Sequence, residues 1–161
     1  MRMKNYAFID SQNLNLGILK LGWKLDFLKF RIFLKHKFRV EKAYLFVGYL
    51  PENQDMYRSL QESGYVLVFK PVLKMKDGRV KGNVDAEMVL QAMIDYQDYD
   101  RAVIVSSDGD FQCLVRYLFD KEKLEILLSP DLNNCSILLK KAARGRIAFM
   151  NNLEEKLGYK K

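Results

Sequence analysis

The sequence predicts an α/β protein built on a mostly parallel sheet. Short apolar runs rich in β-branched and aromatic residues alternate with longer segments of helical period, which is typical of βαβ units. The chain has 161 residues, of which 49% are hydrophobic, with 3 prolines and 9 glycines. That length and composition favour one globular domain over residues 1–161, with a substantial core.

The first half of the chain supplies three predicted strands, at residues 6–9, 43–47 and 65–69. Asp26 suits the N-cap of a helix that runs to about Lys37, because its carboxylate can accept a hydrogen bond from a free amide of the first turn. A polar helix follows Pro51 and reaches Ser63, and Gly64 provides the left-handed residue that commonly ends a helix.

The second half opens with a small hairpin at residues 72–80. It turns at Asp77 and Gly78, a pair that tolerates the positive φ angles of a type I′ turn. Asn83 is expected to cap a helix that runs to about Tyr96. The remaining elements are strands at residues 102–105 and 124–128, helices at 110–119 and 134–143, and a short strand or coil at 147–150.

Acidic residues follow two of the predicted strands directly. Asp10 follows the first strand, and Asp108 and Asp110 follow the strand at residues 102–105. Open α/β sheets bind ligands at the carboxyl ends of their strands, where the strand order reverses. A sheet order of 3-2-1-4-5 would make these two strands neighbours, and the three carboxylates would then converge on one crevice.

A fourth acid, Asp85, is predicted to join them from a helix. By helical spacing it shares a largely apolar face with Met88, Val89, Ala92 and Tyr96. That face should pack on the sheet, so Asp85 should point at the strand ends. Glu87 falls on a different face of the helix and is a weaker candidate.

Converging carboxylates raise each other's pKa and oppose joint ionisation, which a bound cation would relieve. Oxygen ligands without a nearby Cys or His favour Mg²⁺ or Mn²⁺ over zinc. A cation held there could activate water and stabilise charge on a phosphate, which indicates phosphodiester hydrolysis. Taken singly, Asp10 could satisfy loop amides and Asp108, Asp110 and Asp85 could stabilise helix starts. Capping does not require all four acids to meet at one sheet edge, so their joint placement favours the site.

Basic residues outnumber acidic ones by 27 to 20, and the net charge of +7 suits a polyanionic partner. The hairpin region is strongly basic, with Asp77 as its single acid. Its cations are Lys70, Lys74, Lys76, Arg79 and Lys81. Phosphate contacts from the last four would place RNA over the acids, with Lys81 as the first choice. An ordinary solvated hairpin is the alternative.

Several classes of protein are disfavoured. Residues 1–10 lack the apolar run of a signal peptide, and no stretch approaches transmembrane length. Cys113 and Cys135 do not form a zinc or disulfide pattern. A phosphatase that works through a phospho-aspartate usually has an Asp-x-Asp pair after the first strand, whereas residues 10–12 read Asp-Ser-Gln. We expect a cytoplasmic protein that binds RNA and no membrane, and a homodimer or protein partner stays open.

Three segments resemble, in order, the motifs of the NYN or LabA-like branch of the PIN-domain ribonucleases. They lie at residues 8–14, 81–85 and 106–111, and the resemblance covers about residues 4 to 150. It implies a PIN-like three-layer α/β/α sandwich, Mg²⁺ or Mn²⁺ as cofactor, and cleavage of RNA. It implies metal-binding roles for Asp10, Asp85, Asp108 and Asp110, with Asn13 and Ser106 in support. Ser11 and Ser107 stand where the family commonly has glycine.

The leading hypothesis from the sequence is a metal-dependent ribonuclease. Two alternatives stay open: a non-catalytic or regulatory RNA-binding module of the same fold, and a DNA-directed nuclease, since no residue recognisably reads the 2′-hydroxyl.

Overall fold

A six-stranded parallel sheet forms the centre of the protein in the computed structural model, which describes residues 2–78, 80–81 and 83–160. In chain order the strands of the described residues are β1 (Asn5–Asp10), β2 (Val40–Tyr49), β3 (Tyr65–Pro71), β4 (Leu73–Lys74), β5 (Val80–Lys81), β6 (Ala102–Val105), β7 (Leu124–Ser129) and β8 (Ile147–Phe149). The sheet order is β3-β2-β1-β6-β7-β8, and every neighbouring pair is parallel. The predicted order 3-2-1-4-5 is therefore confirmed, since the fourth and fifth predicted strands are β6 and β7. β8 adds a sixth strand beside β7 at the edge of the sheet.

Helices flank this sheet and complete the α/β/α sandwich. They are α1 (Ser11–Lys20), α2 (Phe27–Phe38), α3 (Gln54–Glu62), α4 (Asp85–Ile94), α5 (Gln112–Asp120), α6 (Ile137–Ala143) and α7 (Glu154–Leu157). None of the helices in the described part of the chain has the length and apolar character needed to cross a membrane.

The sheet separates two hydrophobic cores. Along β1, Phe8 belongs to the core under α4, α5 and α6, and its neighbour Ile9 belongs to the core under α1, α2 and α3. All six residues of β1 are buried, because a parallel strand covered on both faces has no solvent side. Asp10 thus ends a fully buried strand, and this is what fixes its position.

Several helix starts differ from the sequence prediction, and two of them lie beside the predicted acids. α4 begins at Asp85 with Val84 as its N-cap, although the Asn83 side-chain oxygen accepts a hydrogen bond from the Asp85 amide at 2.7 Å. α5 begins at Gln112, after a short 3-10 turn at Gly109–Phe111 that Asp108 caps. The polar side chains were correctly placed at these helix starts, but each stabilises the turn before the α-helix.

The hairpin pairs Leu73 with Lys81 and Lys74 with Val80, as an antiparallel unit outside the main sheet. Gly78 has a φ of +86°, and its amide donates to the Met75 carbonyl at 3.0 Å. Asp77 is absent from the described non-glycine residues with positive φ, so the expected type I′ turn is wrong. The connection between the paired residues is longer than two residues, and such loops are commonly built on turns that need one left-handed glycine.

Candidate metal centre

Neighbouring strands β1 and β6 bring the first two acids to one edge of the sheet. Their register pairs Ile9 with Val105, so Asp10 and the segment after Val105 leave the sheet side by side. Asp108 lies at the end of that segment. The convergence expected from the strand order is therefore observed.

Asp85 reaches the same place from the first turn of α4. Met88 and Ala92 of this helix are fully buried in the core, which confirms that its apolar face packs on the sheet. One carboxylate oxygen from each of Asp10, Asp85 and Asp108 lies within 4.8 Å of the other two. These three residues are called the acid cluster below.

Asp110 lies at the rim of the acid cluster. Its side chain is exposed, and it lies close enough to the Asp85 carboxyl to contribute to the raised pKa of that group. The structure thus brings the four predicted acids to one edge of the sheet. Three of them converge, and Asp110 lies on the solvent side of these three.

Capping accounts for part of this arrangement. Oδ1 of Asp10 accepts a hydrogen bond from the Asn13 amide at 3.3 Å, and Oδ1 of Asp108 accepts one from the Asp110 amide at 2.9 Å. Both acids therefore have the structural role that the sequence left open. Capping does not account for Asp85, whose Oδ2 is buried and has no hydrogen-bond partner among the described residues.

The electrostatics of the acid cluster are unfavourable without a cation. Burial, then the charge of Asp108 and the hydrogen bond with Asp110, raise the pKa of the Asp85 carboxyl to about 6. Burial also raises the pKa of Asp10, with a smaller contribution from Asp108, against the hydrogen bond from the Asn13 amide. An all-carboxylate donor set, with one buried oxygen that no described residue hydrogen-bonds, fits a hard divalent cation.

Asn13 and Ser106 tie the ends of β1 and β6 together. The Asn13 side-chain oxygen accepts a hydrogen bond from the Ser107 amide at 2.9 Å. The Ser106 hydroxyl accepts one from the Asp108 amide at 3.1 Å and donates to Oδ2 of Asp10 at 3.5 Å. These contacts hold both loops against each other.

Sequence reasoning missed Ser129, the last residue of β7. Its hydroxyl lies 2.8 Å from the Ser107 hydroxyl, and both side chains are buried. The signal was present, because Ser129 is a small polar residue that ends a strand, as Asp10 does.

The predicted RNA-binding residues lie on or beside the hairpin. Lys74 belongs to β4 and Lys81 to β5, and the side chain of Lys76 in the connecting turn is exposed. Arg79 lies outside the described residues. Since β5 leads within a few residues to Asp85, the hairpin is joined directly to the helix that carries one of the acids.

The chain resembles a known domain family, a named protein and a solved structure. The family model for the NYN domain matches residues 5–149. The chain is similar to the low amplitude and bright protein LabA of Synechococcus elongatus, with 27% identity over 134 residues that cover 77% of this chain and 72% of that protein. The crystal structure of a protein of unknown function from Vibrio parahaemolyticus superposes with a TM-score of 0.78 at 22% identity, covers 94% of each chain and has the same fold. The protein therefore belongs to the NYN domain family of PIN-like nucleases.

Proposed function

We propose that this protein is a metal-dependent ribonuclease that hydrolyses RNA phosphodiester bonds at the acid cluster. The observation that carries the proposal is the convergence of Asp10, Asp85 and Asp108 oxygens within 4.8 Å of one another. Oδ2 of Asp85 supports it, because this buried oxygen has no hydrogen-bond partner among the described residues, and such an oxygen is costly unless a cation or donor meets it.

Asp10, Asp85, Asp108 and Asp110 are the residues that would hold Mg²⁺ or Mn²⁺. Such a cation would supply activation of water and stabilisation of negative charge on the scissile phosphate. The protein's own contribution is to keep the carboxylates in place, and Asn13 and Ser106 do this by joining the two loops that carry Asp10 and Asp108.

RNA would be bound by the basic hairpin. Lys74, Lys76, Arg79 and Lys81 supply the phosphate contacts in this proposal. The net charge of +7 favours association with any polyanion, so the hairpin provides salt-sensitive affinity and the acid cluster provides the chemistry. We place this activity in the cytoplasm.

Cleavage of an end-labelled single-stranded RNA and of the DNA of the same sequence, with Mg²⁺, Mn²⁺ or EDTA, tests the proposal. We expect cutting of RNA that needs the metal. Preferential cutting of DNA would identify a DNA-directed nuclease instead. Salt-sensitive RNA binding without cleavage in either metal would identify an RNA-binding module.

A further inference from the structure

Lys70, near the end of β3, contacts the segment that positions Asp85. Its ammonium group donates a hydrogen bond to the backbone carbonyl of Asn83 and lies 3.6 Å from Oε2 of Glu87. Asn83 in turn accepts a hydrogen bond from the Asp85 amide through its side chain. Lys70 therefore contacts the chain on both sides of Asp85.

Of the two contacts of Lys70, the one with Glu87 is the more important for the structure, because it offsets a buried charge. Oε2 of Glu87 is buried and has no hydrogen-bond partner among the described residues, so the Lys70 ammonium supplies its compensating charge. About a third of each side chain remains exposed, 32% for Lys70 and 36% for Glu87. Solvent screening at that exposure makes the contribution of this ion pair to stability modest. Its main effect is to fix the position of the first turn of α4.

The two elements that Lys70 joins differ in how firmly they are held. β3 is hydrogen-bonded along its length to β2, and this register includes the pair of Lys70 with Gly48. The first turn of α4 instead follows the hairpin, which lies outside the main sheet. Lys70 is thus a link from the sheet to the turn that carries Asp85.

We propose that Lys70 is a positioning residue, which fastens the first turn of α4 to β3 and so holds Asp85 against Asp10 and Asp108. This inference rests on the proposed function, because its consequence is metal affinity. Residues that orient metal ligands from outside the coordination sphere typically contribute 10- to 100-fold to metal affinity or activity.

The test compares wild type with Lys70→Met, Lys70→Arg and the double variant Lys70→Met with Glu87→Gln. The double variant removes both charges, so a buried unpaired carboxylate cannot explain its behaviour. Lys35→Met is the control, because Lys35 is an exposed lysine on α2, whose buried residues belong to the other core. Thermal melting checks that every variant is folded.

Two measurements on protein without RNA decide the matter. The first is hydrogen exchange of the Met88 amide, which donates to the Val84 carbonyl at 3.0 Å in the first turn of α4. The second is Mn²⁺ affinity by calorimetry. We expect about 10-fold faster exchange and about 10-fold weaker Mn²⁺ binding for Lys70→Met and the double variant, restoration by Lys70→Arg, and no change in Lys35→Met.

Unchanged Mn²⁺ affinity in both methionine variants would overturn the inference, whatever the exchange rate. In a separate RNA cleavage assay of the same variants, a raised KM with unchanged Mn²⁺ affinity would show instead that Lys70 binds the substrate. If wild type binds no Mn²⁺, the proposed function fails. The exchange rates then decide the positioning role alone, and unchanged exchange in both methionine variants would overturn it.

Discussion

Asp10 and Asp108 combine two roles within one carboxylate each. One oxygen stabilises a turn through a backbone amide, and each side chain also belongs to the acid cluster. The sequence suggested both roles without deciding between them, because the same residue types serve as caps and as metal ligands. Only the spatial convergence with Asp85 separates the two cases.

The raised pKa of Asp85 predicts how stability depends on pH. Its ordinary value is 3.8 and its folded value is about 6, so between these limits the folded protein binds a proton more tightly than the unfolded chain. The free energy of unfolding of the metal-free protein should therefore fall as pH rises from about 4 to 6. Urea denaturation in EDTA across this range measures it.

Asp85→Asn should flatten this pH dependence and raise stability at pH 7 by about 1 kcal/mol, after allowance for solvent screening. The exposed Asp98→Asn is the matched control and should leave the profile unchanged. A profile for Asp85→Asn that matches wild type would show that Asp85 does not titrate abnormally.

Asn13 is predicted to matter through its side-chain oxygen. Asn13→Ala leaves the Ser107 amide without its acceptor, and an unsatisfied amide in a partly buried position costs about 1 kcal/mol of stability. Since this bond joins the loops of Asp10 and Asp108, nuclease activity should fall as well. Chemical denaturation and cleavage rates check both effects, with the exposed Gln12→Ala as control. An unaltered rate in folded Asn13→Ala would remove Asn13 from the support of the site.

Among the elements, the strands were easier to predict than the helices. Runs such as residues 102–105 are continuously apolar, because a parallel strand buried on both faces has no polar side. Such a run is easily recognised in the sequence. α1 was not predicted, because it begins directly after a strand and contains two asparagines and a glycine, which are poor helix formers. Asp10 caps α1, so a residue predicted as a metal ligand is also a signal for the start of a helix.

β8 could not be distinguished from coil, because three residues carry too little periodicity.

The hairpin is the element predicted to carry RNA affinity. Lys76→Met should weaken RNA binding, while Mn²⁺ affinity stays as in wild type. The slope of log K against log salt concentration should decrease by the amount expected for the loss of about one phosphate contact. Filter binding at several salt concentrations, with Lys35→Met as control, measures the slope. If both lysine variants lose affinity equally, the effect is one of net charge and the hairpin is not the RNA site.

For the whole molecule, the order of the parallel strands could be predicted from the acids. Asp10 and Asp108 reach one crevice only if the strands that precede them are neighbours, and the order 3-2-1-4-5 makes them so. The hydrogen bonds at the strand ends were not predictable, because they join residues far apart in the chain, such as Ser107 and Ser129, which are 22 positions apart. Sequence patterns report the faces of an element, and they do not report which side chains meet across strand ends.

Single-turnover cleavage of end-labelled RNA by wild type and by Asp108→Asn, each in Mn²⁺ and in EDTA, tests whether the acid cluster is the active site. The variant removes one charge from the acid cluster with little change in volume. We expect wild type to cleave in Mn²⁺ but not in EDTA, and the variant, although it melts as a folded protein, to cleave more slowly by at least about two orders of magnitude. Equal Mn²⁺-dependent rates for the two proteins would contradict the assignment of the acid cluster as the active site.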